Sequence, residues 1–329
     1  MLVVAAIAAV VWANVGGYTS TWGHQIDFGV LSATPRAVVN DGLMTLFFFL
    51  VGLEIKRELV AGERRDRRAA ALPALAALGG IAVPALIFGV MSTHGADVHR
   101  WTIPLATDVA FSLGVLALLG DRVSTGARMF LLELAVVDDI GTLLIVAVLF
   151  AGGGVSATLI GVVLAFLVPV RPIHGVPVLE RVEHHLLPWV SLGIVPLFAL
   201  ANAGLAIDGD RLGAAFGSRV TIALIVALVV GKAVGVVGAT ALALKTGLGR
   251  LPAGVTLRDI AGIGLVAGMS FTVSLYAAHL AFTGAALDHA KIGFFAASLL
   301  SAVTGSWWLC HGARGRRAAD SETRPEERP

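Results

Sequence analysis

Residues 129–151 read M-F-L-L-E-L-A-V-V-D-D-I-G-T-L-L-I-V-A-V-L-F-A, an apolar run with Asp138 and Asp139 at its centre. At about 1.5 Å per helical residue the run is long enough to cross a hydrocarbon core of about 30 Å. No alternation of the strand type is sustained, so a helix is expected and a barrel is not. Two carboxylates in the middle of such a helix are costly, roughly 3 kcal/mol each on insertion scales. They therefore point to work done inside the membrane.

The rest of the chain agrees. Of 329 residues 57% are hydrophobic and only 14% charged, against about 25% charged in soluble domains. The mean hydropathy is +0.87. Disorder and an ordinary soluble domain are both excluded. One cysteine, Cys310, leaves no disulfide framework and no cysteine-rich metal site. A net charge of +2 gives no ground for nucleic-acid binding.

Ten stretches are long and apolar enough to be spans: 2–17, 37–55, 69–91, 101–119, 129–151, 155–170, 188–206, 220–244, 259–282 and 292–310. They form one all-α polytopic domain over 1–312, and 313–329 is expected to be a disordered tail. With the amino terminus inside, eighteen of the 24 Lys and Arg fall in inner loops and the tail, five fall in outer loops (Arg36, Arg100, Arg211, Arg219 and Lys291), and Lys232 is left in mid-span. That asymmetry places both termini in the cytoplasm.

Lys232 lies in V-V-G-K-A-V-G, and Asp108 follows Thr107 in P-L-A-T-D-V-A-F. Adjacent helical residues point about 100° apart, so Asp138 and Asp139 cannot share a face. One can meet Lys232 on a neighbouring helix while the other faces a water-filled cavity. Burial and neighbouring charge then govern whether that carboxylate holds a proton or a cation. The bland reading, an ion pair that only fixes packing, leaves the second aspartate and Asp108 without a role. Pro104 favours a helix break just before Thr107-Asp108. A broken helix exposes dipole ends, which Asp108 can compensate, and Thr107 offers a hydroxyl and a carbonyl. The ninth span has a matching weakness in A-G-I-G-L-V-A-G-M-S, with Gly262, Gly264 and Gly268.

Together these strings resemble the NhaA-type sodium/proton antiporters. The matching stretches are N-D-G-L-M-T-L-F-F-F-L-V-G-L-E-I-K-R-E-L (40–59), A-T-D-V-A-F-S-L-G-V-L-A-L-L-G (106–120), L-A-V-V-D-D-I-G (134–141), P-L-F-A-L-A-N-A-G (196–204), G-K (231–232) and G-M-S-F-T-V-S-L (268–275). NhaA is itself a standard example of an inverted-repeat carrier whose interrupted helices cross near the midplane, so that architecture is implied by the resemblance and not read from spacing. The resemblance implies Asp139 as main cation ligand and Asp138 as partner of Lys232. It implies Thr107 and Asp108 at the unwound crossing. It implies a pH-responsive cytoplasmic entrance at Glu54, Lys56, Arg57, Glu58, Glu183 and His184, histidine being the side chain that ordinarily titrates nearest physiological pH. The bland reading of that entrance is a set of helix-end charges marking the interface.

The implied function is electrogenic exchange of Na+ or Li+ for H+ across a bacterial-type inner membrane, for sodium and pH homeostasis. The implied partners are those ions and the lipid bilayer, with a homodimer allowed, no cofactor and no resident metal. The chain departs from the family pattern in four ways. The family usually has twelve spans, and only A-G-G-G (151–154) joins the double-aspartate helix to a segment resembling the family's eighth, so two linker helices are missing. Ser156 stands where His is common. Ala233 follows Lys232 where Pro is usual, and Leu187 precedes Pro188 where His is common. The outer loop at 15–36 is shorter than the family's β-hairpin.

Other classes fit less well. An intramembrane aspartyl protease wants two carboxylates on facing helices, and T-D with D-D-I-G are not its motifs. A retinal pigment built on Lys232 is disfavoured by 7% aromatic residues, and a channel by the lack of a repeated filter. A transport-impaired relative of the antiporters is a further alternative. Glu133 is expected to snorkel to the inner surface. The histidines other than His184, among them His279 and His289, are read as interfacial.

Overall fold

The computed structural model describes residues 1–27, 32–61, 67–92, 100–150, 157–170 and 177–322. The A-G-G-G joint, Ser156 and the last seven residues lie outside them. The described residues are almost wholly helical, as expected where backbone polar groups can be satisfied only within the segment. A two-residue pairing is the exception: β1 (Ile26–Asp27) runs antiparallel to β2 (Ser32–Ala33).

The first helix is α1 (Leu2–Val15), stopped by Gly16 and Gly17 at φ 116° and 80°, a backbone that only glycine adopts freely. A short α2 (Tyr18–Gly23) follows. Helix α3 covers 35–61 and contains a π-turn at Val38–Leu43. Next come α4 (Arg67–Met91), α5 (Val109–Leu119), α6 (Thr125–Phe150) and α7 (Ala157–Leu167). Helix α8 covers 178–202 with a π-turn at Val190–Ile194, and α9 is Gly209–Phe216. Helix α10 covers 219–245 with a π-turn at Val226–Gly231. The chain ends in α11 (Leu257–Val266), α12 (Thr272–Ala281) and α13 (Ala285–Glu322). Among the described residues, five segments are long and apolar enough to cross a bilayer: Pro35–Arg57, Ala71–Met91, Val178–Asn202, Arg219–Lys245 and Ala285–His311.

Four differences from the sequence reading matter most. The fourth stretch opens with a 3-10 turn at Arg100–Thr102 and a turn at 103–104, has no regular structure over 105–108, and is α-helical only from Val109, as a break at Pro104 requires. The seventh begins at Val178, not 188, because its first three turns are amphipathic and carry Glu180, Arg181, Glu183 and His184, which lowers their hydropathy. The sixth is a helix of only 11 residues, about 16 Å long. The tail expected to be disordered after Gly312 continues as helix to Glu322. No proline interrupts G-A-R-G-R-R-A-A-D-S-E, and its Ala and Arg favour a helix.

Three apolar clusters hold the described helices together. One joins α4, α5, α6, α10, α11 and α13 through Leu72, Leu116, Phe130, Val236, Ile263 and Leu309. The second joins α1, α2, α3, α8 and α12 through Ala9, Tyr18, Phe48, Phe198 and Tyr276. The third joins α4, α10, α12 and α13 through Phe88, Leu224, Ala278 and Phe294. Small residues set the closest approaches, as membrane helices favour. A Cβ on Gly235 of α10 would overlap Gly79 of α4, and one on Gly161 of α7 would lie 2.7 Å from the Phe49 nitrogen of α3.

Candidate functional site

Asp138 and Asp139 sit in the middle of α6, and their divergence on the helix gives them different surroundings. Asp138 is fully buried. Its two carboxylate oxygens accept from Lys232 Nζ at 3.0 and 2.8 Å, and the lysine is fully buried as well. Lys232 begins the regular helix just after the π-turn of α10. Its ammonium also donates to the Leu105 carbonyl, on the extended segment that precedes α5. Two buried charges are thus paired and further hydrogen-bonded, the condition under which such a pair survives.

Asp139 faces the other way. Its Oδ1 is buried and has no hydrogen-bond partner. It borders a cavity of about 260 Å³, which Glu54, Thr107, Asp108, Ser191 and Thr272 also line. A buried carboxylate oxygen left without a donor demands a proton, a cation or water.

Beside it two broken helices cross. The extended backbone before α5 and the 267–271 break between α11 and α12 are tied together. Asp108 N donates to Met269 O at 2.8 Å, Thr107 Oγ1 to Ala267 O at 3.0 Å, and Ser270 Oγ to Ala106 O at 2.6 Å. Ser112 Oγ donates to Val266 O at 3.3 Å. The carbonyl end of α11 is therefore served by side chains, as a buried helix end must be. Two helix amino termini meet at Asp108: its Oδ1 accepts from Phe111 N at 3.2 Å in α5, and its Oδ2 from Thr272 N at 3.3 Å and Thr272 Oγ1 at 2.6 Å in α12. A carboxylate so placed compensates both dipoles. Each oxygen of Asp108 has a donor, whereas Oδ1 of Asp139 has none.

Of the three glycines read as an interruption, only Gly268 lies in the break. Gly262 and Gly264 are inside α11 and serve packing: a Cβ there would lie 2.5 Å from Leu309 Cδ2 and 3.0 Å from Ala233 Cα. Among the residues read as an entrance, Arg57 of α3 and Glu183 of α8 form an ion pair of 2.6 Å. They line a second cavity of about 690 Å³ with Glu180, Arg181, His184 and His185. Leu187 borders both cavities, so this space adjoins the one at Asp139. Glu54 belongs to the inner cavity, His184 is exposed, and the Glu58 side chain lies outside the described residues.

Sequence reading missed Thr272 and Ser191, although T-V-S-L follows the glycine-rich weakness that marks the start of a half-helix. It also read His279 as interfacial and Lys291 as an outer-loop charge. Lys291 is only 5% exposed, and His279 Nε2 is buried without a partner.

The family model of Na+/H+ antiporter 1 matches residues 1–153 and 148–309. The chain belongs to this family. It is 35% identical to the Na(+)/H(+) antiporter NhaA of Janthinobacterium sp. (strain Marseille), over 97% of this chain and 91% of that protein. It is 40% identical to the Na(+)/H(+) antiporter NhaA 1 of Saccharopolyspora erythraea, over 88% and 82%. It is 36% identical to the Na(+)/H(+) antiporter NhaA of Citrobacter koseri, over 94% of each. The Janthinobacterium alignment runs over 414 positions although the chain has 329 residues. The two blocks of the family match divide at 148–153, beside the A-G-G-G joint.

Proposed function

We propose that this protein exchanges Na+ or Li+ for H+ across a bacterial-type inner membrane, with both termini in the cytoplasm, and exports sodium in pH and sodium homeostasis. The observation that carries the reading is the unpartnered Oδ1 of Asp139 at the head of a cavity, one residue from a carboxylate already neutralised by Lys232. Cation and protons compete for Asp139, with Asp138 as the second proton-accepting group, so the site carries one or the other. Thr107 lends its oxygens to the cation's surroundings, and Asp108 holds the crossing together. Arg57, Glu183, His184, Glu54 and Glu58 form the entrance that senses cytoplasmic pH. No resident cofactor is needed, because the ions are the cargo. Exchange of more protons than cations makes the cycle electrogenic.

The competing protease reading loses its main support, since Asp138 and Asp139 are neighbours on one helix and Lys232 occupies Asp138. The test is proton release from everted vesicles carrying a pH gradient. Added Na+ or Li+ collapses the gradient, K+ does little, and an imposed membrane potential changes the rate. Asp139→Asn abolishes the response; exchange that survives this change overturns the assignment.

A further inference from the structure

Helix α8 ends at Asn202, inside the protein at the end away from Arg57, and its last carbonyls need donors from elsewhere. Two side chains supply them and a third bonds the backbone just beyond the helix. Tyr18 Oη donates to Leu200 O at 3.0 Å, Arg36 Nε to Ala201 O at 3.2 Å, and Lys291 Nζ to Gly204 O at 3.2 Å. His279 lies beside the backbone of Asn202. Tyr18 also accepts from Gly204 N at 3.0 Å, and the Arg36 guanidinium lies 5.8 Å from the centre of its ring.

These side chains come from opposite ends of the chain. Tyr18 and Arg36 belong to α2 and the start of α3. His279 and Lys291 belong to α12, which starts at the crossing, and α13. Helices α2, α3 and α12 meet α8 in one apolar cluster. Lys291 thus ties α13 to the backbone just beyond the negative end of α8, with His279 of α12 beside that end. Lys291 is held there by a carbonyl and not by a carboxylate, and such a bond is made and released more readily than a buried ion pair. At the opposite end the cavity at Asp139 adjoins the entrance at Arg57 and Glu183.

We propose that Lys291 and His279 are positioning residues for exchange: with Lys291 held on the Gly204 carbonyl and His279 beside the Asn202 backbone, they close the outer face while Asp139 is open inward, and both move away when the site turns outward. This rests on the antiporter reading. A fully buried reporter, Ala203→Cys, in a Cys310→Ser background tests it with a membrane-impermeant maleimide applied to intact cells. Labelling is slow with the native pair. Lys291→Met speeds it about tenfold, the ratio that loss of one charged hydrogen bond gives. Lys291→Arg stays close to the parent, and His279→Leu gives a smaller rise than Lys291→Met.

Unchanged labelling in Lys291→Met overturns the proposal, as does equal labelling in the Met and Arg variants, which would mark simple packing. If Lys291→Met fails to give monodisperse protein, His279→Leu and Lys291→Arg decide by the same criteria. Labelling needs no ion gradient. A chain that labels as expected but moves no Na+ keeps the closure and sinks the exchange reading. A chain that exchanges Na+ with labelling unaltered does the reverse.

Discussion

Asp138 and Lys232 have no exposed surface, so each is tolerable only because the other is there. Removing one partner of a buried pair costs about 3–5 kcal/mol, whereas removing both is often close to neutral. Lys232→Ala therefore lowers the melting temperature of the detergent-solubilised protein strongly, and Asp138→Asn combined with Lys232→Met recovers most of the loss. A double variant as unstable as the single would show that the pair does not hold the fold this way. The two outward directions of an Asp-Asp pair are legible in the sequence from helical geometry alone. Which aspartate takes the lysine came from family resemblance. The third partner of Lys232, the Leu105 carbonyl, was not legible, because a backbone acceptor leaves no mark on residue identity. The same holds for Lys291 and His279: as single residues near span ends they read as interface, and only packing shows them inside.

Between the residue and the whole stand the breaks and close contacts of the helices. Gly79 and Gly235 let α4 and α10 touch backbone to backbone, which seats Lys232 within reach of Asp138 on α6. A Cβ on Gly235 would lie 2.7 Å from the Gly79 carbonyl carbon. Gly235→Val must push the helices apart at a cost of about 1–3 kcal/mol, read as a lower melting temperature together with weakened exchange. Gly89 meets nothing within 4 Å, so Gly89→Ala changes stability by no more than about 1 kcal/mol and leaves exchange intact. Equal effects of the two changes would refute the close-contact account. Hydropathy found the ten stretches, yet it misplaced the start of α8 by ten residues, since charges on one helical face dilute the average. It could not separate a glycine that breaks a helix, Gly268, from glycines that let helices approach, Gly262 and Gly264. Pro104 did announce its break, because a proline acts on local geometry that no packing is needed to reveal.

At the scale of the molecule, both crossing segments and all three charged partners survive in a chain shorter than its alignment with a relative. The two blocks of the family match meet beside A-G-G-G, where family resemblance places two missing linker helices. Such a linker would lie between α6 and α7, and the residues that line the cavity at Asp139 are in place without it. The apolar cluster of Phe48, Phe198, Phe271 and Tyr276 already joins α3 and α8 to α12. Loss of the linker is therefore expected to alter how fast these helices move and leave cation affinity alone. In everted vesicles, the chain as written and a version with the relative's intervening segment restored should show the same half-saturating Na+ concentration and different maximal rates. A large shift in half-saturation would mean that the linker shapes the site itself.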